Sequence, residues 1–186
     1  MSGKNEKNQE VISKIMNPAP PVETGPVRTE PQGNKLTLEN VIGTVSLLMT
    51  QSPAHRHMFM ADLEWLVIPP VMLRQFRIFK NNNNQPVGFV TWASLNEEVS
   101  ARLKSGVIKL APGEWKSGDK VYIIDVISSA PIHKQIVKEL YEREFKGKEV
   151  NVLRPKKGAP GLENRLLTDI FAEEAQLKKD GADAKK

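Results

Sequence analysis

Three histidines and no cysteine limit the chemistry open to this 186-residue chain. One of them sits in Ser52-Pro53-Ala54-His55-Arg56, three residues after a serine and close behind a proline that stiffens the backbone. An imidazole with an unperturbed pKa of about 6.5 accepts a proton near neutrality, so His55 is a candidate general base. The competing reading is a polar side chain facing solvent at a helix end. Asp125 is the second candidate, inside Val121-Tyr122-Ile123-Ile124-Asp125-Val126-Ile127, where an unpaired carboxylate is costly to bury. It either orients a histidine, fixing the tautomer and supporting the charged ring, or bonds backbone amides near the strand end. If both face one cleft they form a His–Asp pair suited to acyl transfer. His57 lies two residues from His55 without further ligands, so no metal site is expected. His133 falls in the first turn of an amphipathic segment, where a structural role suffices.

Other chemistries lack their residues. Without cysteine there is no thiolate nucleophile, disulfide framework or Cys-ligated zinc. The segment after the Asp125 strand reads Ser128-Ser129-Ala130-Pro131, not a glycine-rich turn whose amides could cradle phosphate. No P-loop, dinucleotide fingerprint or G-x-S-x-G elbow occurs, so no tightly bound cofactor is expected. The formal charge of +5 favours an anionic partner such as an acidic protein. The densest basic run, Arg154-Pro155-Lys156-Lys157-Gly158, reads as a loop, and nucleic acid is not an expected partner. The first residues carry acidic groups and no apolar core, unlike a signal peptide, and no run of about 20 apolar residues predicts a membrane span. Cytoplasmic residence fits this composition.

Around the candidates, the pattern predicts an α/β (α+β) domain with a central mixed sheet over residues 36–179, a flexible Pro-rich leader over 1–35 and a disordered tail over 180–186. Thr37 should cap a helix carrying Val41, Val45, Leu48 and Met49, stopped near Gln51 and Ser52 by Pro53. A second helix is expected from Met58 to Val67, ended by Pro69 and Pro70. Two aromatic, β-branched runs flank Lys80-Asn81-Asn82-Asn83-Asn84-Gln85-Pro86 and predict a hairpin. Asn96 should cap a short helix, and Lys120 to Ile127 should form a central strand covered on both faces. A helix beginning near Pro131, a strand over Lys148 to Arg154, and a final helix from Leu162 to Leu177 complete the pattern.

Four segments, Gly43–Arg56 around the Ser-Pro-x-His-Arg motif, the hairpin up to Leu95, Trp115–Ser129 and Asn151–Gly158, together resemble the RTX toxin-activating lysine acyltransferases. The resemblance runs from about Leu38 to Arg154. It implies a fold like that of the GCN5-related N-acetyltransferases, a cytoplasmic enzyme, and a homodimer, for which the residue pattern alone gives no sign. It implies a fatty acyl donor bound to acyl carrier protein rather than coenzyme A, and amide formation on internal lysines of an RTX-type protoxin. The essential histidine and aspartate of the family fall on His55 and Asp125. Ser52, Arg56 and Trp92 match further family positions; Ser52 takes a supporting role, and Arg56 contacts the carrier protein or stabilises its loop. The chain departs from the family at His57-Met58-Phe59, where Asn-Trp-Pro is usual, at Val126 in place of tryptophan, and at Val90-Thr91 in place of Cys-Ser. A small-amine N-acyltransferase and a non-catalytic module that docks an acidic protein are the competing readings.

Overall fold

The computed structural model describes residues 28–29, 37–128, 131–156, 158 and 161–183. Apart from the two-residue strand β1, Arg28–Thr29, the leader expected over 1–35 lies outside them, as do residues 184–186 of the tail. Helix α1 spans Leu38–Gln51, with the Thr37 side chain accepting from the Asn40 amide at 3.3 Å. A 3-10 turn at Met60–Asp62 leads into the short helices α2, Leu63–Leu66, and α3, Ile68–Met72. The second helix ends at Leu66, before Pro69 and Pro70 as expected, but it starts only at Leu63 and a new helix follows at once. Both prolines lie in the first turns of α3, where a missing N–H costs no helical hydrogen bond.

Strands β2, Phe76–Lys80, and β3, Pro86–Leu95, form the expected hairpin, turned by Asn81 and by Asn84 in the left-handed region at φ 61°. Helix α4, Glu97–Lys104, starts at Asn96, whose side-chain oxygen accepts from the Val99 amide at 2.9 Å. Strand β4, Lys120–Ser128, is followed by α5, His133–Leu140, which runs on as a π-helical turn over Tyr141–Phe145. Strand β5 is Val150–Pro155. The final helix does not begin at Leu162. Leu162–Leu166 is a strand, β6, antiparallel to β5, and helix α6 occupies Leu167–Asp183, across the expected domain end at 179. Gly161, at φ +103°, makes the turn that lets Leu162 pair back onto Pro155.

The six strands order β1 to β6 in one mixed sheet, antiparallel except where β5 runs parallel to β4. This single α+β domain is consistent with the acetyltransferase-like fold that the resemblance implies. Alternation along β3 divides the core. Val90 and Trp92 join Ile123, Ile136 and Leu140 under α5 and α6. Phe89 faces the other way with Val41, Val45 and Leu48 of α1, and Ala93 and Leu95 continue that face toward Val99 and Leu103 of α4. β4 is therefore covered on both sides, which is why its sequence is apolar almost throughout.

One close approach holds α4 in place. A Cβ on Gly118 would come within 2.5 Å of the Asn96 backbone. Gly118→Ala is expected to destabilise the fold by about 1–3 kcal/mol through overpacking, read as a lowered denaturant midpoint with an unchanged slope.

Candidate active site

His55 is held by the way α1 ends. The chain leaves the helix at Ser52, whose carbonyl accepts from the His55 amide at 3.0 Å and the Arg56 amide at 2.9 Å. The His55 carbonyl in turn accepts from the Met58 amide at 3.0 Å. This tight coil folds the imidazole back over the helix end. Its Nδ1 lies 2.7 Å from Ser52 Oγ, and its Nε2 lies 3.0 Å from Asp125 Oδ1. A carboxylate only accepts, so the neutral ring carries its hydrogen on Nε2, and the Ser52 hydroxyl donates to Nδ1. Ser52 is 1% exposed and His55 is 9% exposed, so the solvent-facing reading of His55 does not hold.

Asp125 reaches this point through a break in the β3–β4 ladder. Thr91 pairs with Asp125, but the next residue, Trp92, pairs with Ile123, so Ile124 is an extra residue in β4. Strict alternation would put Asp125 on the face of Val121 and Ile123, under α5. The bulge resets the phase. Tyr122, Ile124, Asp125 and Ile127 then serve the α1–α4 side, while Val121, Ile123 and Val126 pack beneath α5 and α6. Asp125 Oδ1 also accepts from the Val126 amide at 2.8 Å. Both readings of Asp125, histidine partner and backbone acceptor, thus describe one oxygen.

Beside the pair lies an apolar cavity of about 300 Å³. It opens where the central strands part: β4 and β5 pair only from Val121↔Val150 to Ile123↔Val152, although both strands continue. Ile124 and Leu153 line the two diverging edges, with Met58, Trp65 and Leu103 closing the cavity from α1's exit loop, α2 and α4. Trp65 is fixed by its indole N–H, which donates to Asp62 at 3.1 Å, and Lys109 Nζ sits 5.8 Å from its ring centre. That indole bond and the Phe59 amide hold the Asp62 carboxyl below its ordinary pKa. Met58, one of the departures noted above, is thus a cavity-wall residue.

Ser52, His55 and Asp125 come together. Arg56 is exposed on the loop beside them. Trp92 does not join them: it points to the opposite face, edge-on to Phe145 at 5.3 Å. His133 Nε2 lies 3.2 Å from Ser128 Oγ. Among the described residues no three His, Asp or Glu side chains cluster as metal ligands, and no helix is long and apolar enough to cross a membrane. The cavity residues Trp65, Leu103 and Leu153 carry no local signal; they read as ordinary core positions until the fold assembles them.

A family model described as the RTX toxin acyltransferase family matches residues 34–165, more than half of the chain. The chain belongs to the RTX toxin acyltransferase family. Within this acyltransferase family it is similar to lysine-acyltransferase RtxC of Vibrio cholerae, 33% identical over 124 residues, covering 64% of this chain and 80% of that protein. It is 32% identical over 100 residues to the RTX-I toxin-activating lysine-acyltransferase ApxIC of Actinobacillus pleuropneumoniae, covering 52% of this chain and 58% of the relative. The protein-lysine myristoyltransferase HlyC of Escherichia coli is 31% identical over 88 residues, 47% of this chain and 50% of its own length. The matched span of the family contains Ser52, His55 and Asp125.

The ring tautomer is directly measurable. Nitrogen-15 spectra of the neutral His55 ring should show a protonated Nε2 and an unprotonated Nδ1; a protonated Nδ1 would contradict the arrangement.

Proposed function

We propose that this acyltransferase takes a fatty acyl group from acyl carrier protein and joins it, as an amide, to the side chain of an internal lysine of an RTX-type protoxin. One observation carries the reading: the continuous line from Ser52 Oγ through both nitrogens of His55 to Asp125, with His55 and Asp125 in the wall of an apolar cavity. Family membership and the names of the relatives, which are lysine-acyltransferases, supply the reaction class.

The acyl chain lies in the cavity with its thioester carbonyl beside His55. A lysine side chain, with an ordinary pKa of about 10.4, sheds one proton to solvent to become the attacking amine and gives up a second to His55 as the amide forms. His55 is the general base. Asp125 holds Nε2–H and offsets the positive charge that the ring acquires, so Nδ1 takes the proton. Ser52, buried behind that nitrogen, keeps a supporting role: its hydroxyl donates to Nδ1 and holds the ring until the proton of the amine displaces that bond. The amine lone pair forms the C–N bond, the tetrahedral intermediate collapses with cleavage of the C–S bond, and the departing carrier thiolate takes the proton from His55. A direct transfer in a ternary complex fits better than an acyl-serine intermediate, because Ser52 is 1% exposed and is not part of the cavity lining. Arg56, exposed beside the site, contacts the acidic carrier, and Trp92 braces β4 from behind. The reading places this work in the cytoplasm, in a homodimer whose acyltransferase domain is residues 36–179.

The test incubates the purified chain with acyl carrier protein charged with thioesters of graded length and an RTX-type protoxin, followed by intact-mass analysis of all three proteins. Addition of one acyl mass to the protoxin is expected, with the rate lowered about 10²–10⁴-fold in His55→Ala. Acylation of small amines but not of protoxin would overturn the substrate, and no transfer at any length would overturn the enzyme.

The cavity makes a separate prediction. Leu162, partly exposed at its rim, can be enlarged without disturbing the dyad. Leu162→Trp should shift the preferred acyl chain toward shorter lengths while leaving transfer of the shortest chains near the wild-type rate. A uniform loss at every length would place the acyl chain elsewhere.

A further inference from the structure

The hydrogen bonds of Asp125 account for only one of its two carboxylate oxygens. Oδ1 takes the His55 ring and the Val126 amide, whereas Oδ2 is buried and finds no hydrogen-bond partner among the described residues. Directly across the ladder stands Thr91, 0% exposed, whose hydroxyl is likewise buried and without a partner there. Buried polar groups are paired with few exceptions, directly or through ordered water, so two such groups in register call for an explanation.

They face the same side of the sheet. Phe89 and Ile127, the pair two positions along β3, both pack against α1, and Ala93 and Tyr122, on the other side of the bulge, both pack toward α4. Thr91 lies between Phe89 and Ala93 on that same face. Opposed residues in an antiparallel pair have Cβ atoms about 4.5–5.5 Å apart. A threonine hydroxyl that rotates about its Cα–Cβ bond reaches an opposite carboxylate from there, directly or across one water. One group is a donor in search of an acceptor; the other is an acceptor only.

We propose that Thr91 is a positioning residue: its hydroxyl donates to Asp125 Oδ2 and fixes the plane of the carboxylate so that Oδ1 stays on His55 Nε2. Its effect reaches the reaction only through Asp125, and its importance for turnover rests on the proton-transfer role given above to the His55–Asp125 pair. The bulge makes the arrangement necessary. With Ile124 as the extra residue, the backbone around Asp125 departs from regular pairing, and a bond to Oδ2 adds a second constraint on the carboxylate there.

Thr91→Val keeps the branched shape and removes the hydroxyl; Thr91→Ser keeps the hydroxyl. A purely structural role makes valine neutral or stabilising, since it removes an unpaired buried group. Positioning predicts the opposite pattern for function. Thr91→Val should fold with an unchanged or raised melting temperature, lose about tenfold in kcat with KM for donor and acceptor within twofold, and shift or broaden the His55 Nε2–H resonance. Thr91→Ser should stay within twofold of wild type and retain that resonance. Full activity and an unmoved resonance in Thr91→Val would overturn the proposal, as would an equal loss in Thr91→Ser. The resonance separates this inference from the functional reading: if the wild-type chain transfers no acyl group yet Thr91→Val still perturbs His55, the enzyme assignment fails and the positioning link stands.

Discussion

A single hydrogen bond joins parts of the chain 70 residues apart: His55 Nε2 to Asp125 Oδ1. It ties the end of a helix to the middle of the sheet, and the features of the site follow from the need to make it. The helix must stop at Ser52 so that the coil can turn the ring inward. The strand must carry one extra residue so that its carboxylate emerges on the same side. Once both conditions are met, the tautomer of the ring is set, because a carboxylate accepts and does not donate. The basic nitrogen then faces Ser52, whose hydroxyl holds the ring in place.

The sheet reconciles this polar line with an apolar interior. β4 is covered on both faces, so a charged group in it is tolerable only where a partner waits and solvent approaches. That place is the divergence of β4 from β5, where the ladder ends and a cavity begins. The cavity and the charge pair therefore share one origin in the geometry. A long apolar substituent and a polar reaction centre can occupy adjoining space without either disrupting the core. Trp92, on the opposite face against Phe145, helps to keep β4 seated while its other side is open.

Much of the frame was legible in the sequence because local rules decide it. Thr37 and Asn96 cap helices by side-chain acceptance, and the asparagine-rich turn closes the β2–β3 hairpin. Pro69 and Pro70 were read only as the end of one helix, which does stop at Leu66; that they also open the next was missed, although proline in the first turn of a helix costs nothing. Leu162–Leu166 misled in another way: its leucines suit a helix in isolation, and only the partner strand made by Asn151 to Pro155 draws the segment into the sheet. For the site, His55 and Asp125 stood out by residue type. Their meeting did not, since a period of two places Asp125 on the wrong face and no sequence pattern announces the bulge at Ile124. The cavity was hidden for a similar reason: Trp65, Leu103 and Leu153 come from separate elements and resemble any core residue.

The central claim is that His55 and Asp125 act as one unit in acyl transfer, and a double-mutant cycle on the single-turnover rate tests it most directly. The rates to compare are those of wild type, Asp125→Asn, His55→Ala and the double variant, each corrected for uncatalysed transfer. Residues acting as a unit are strongly non-additive, and a residual rate over water persists when one is lost. Asp125→Asn should slow transfer markedly when His55 is present and have almost no further effect when it is absent. An equal slowing in both backgrounds would mean that the two side chains act independently, and the account built on their hydrogen bond would be wrong.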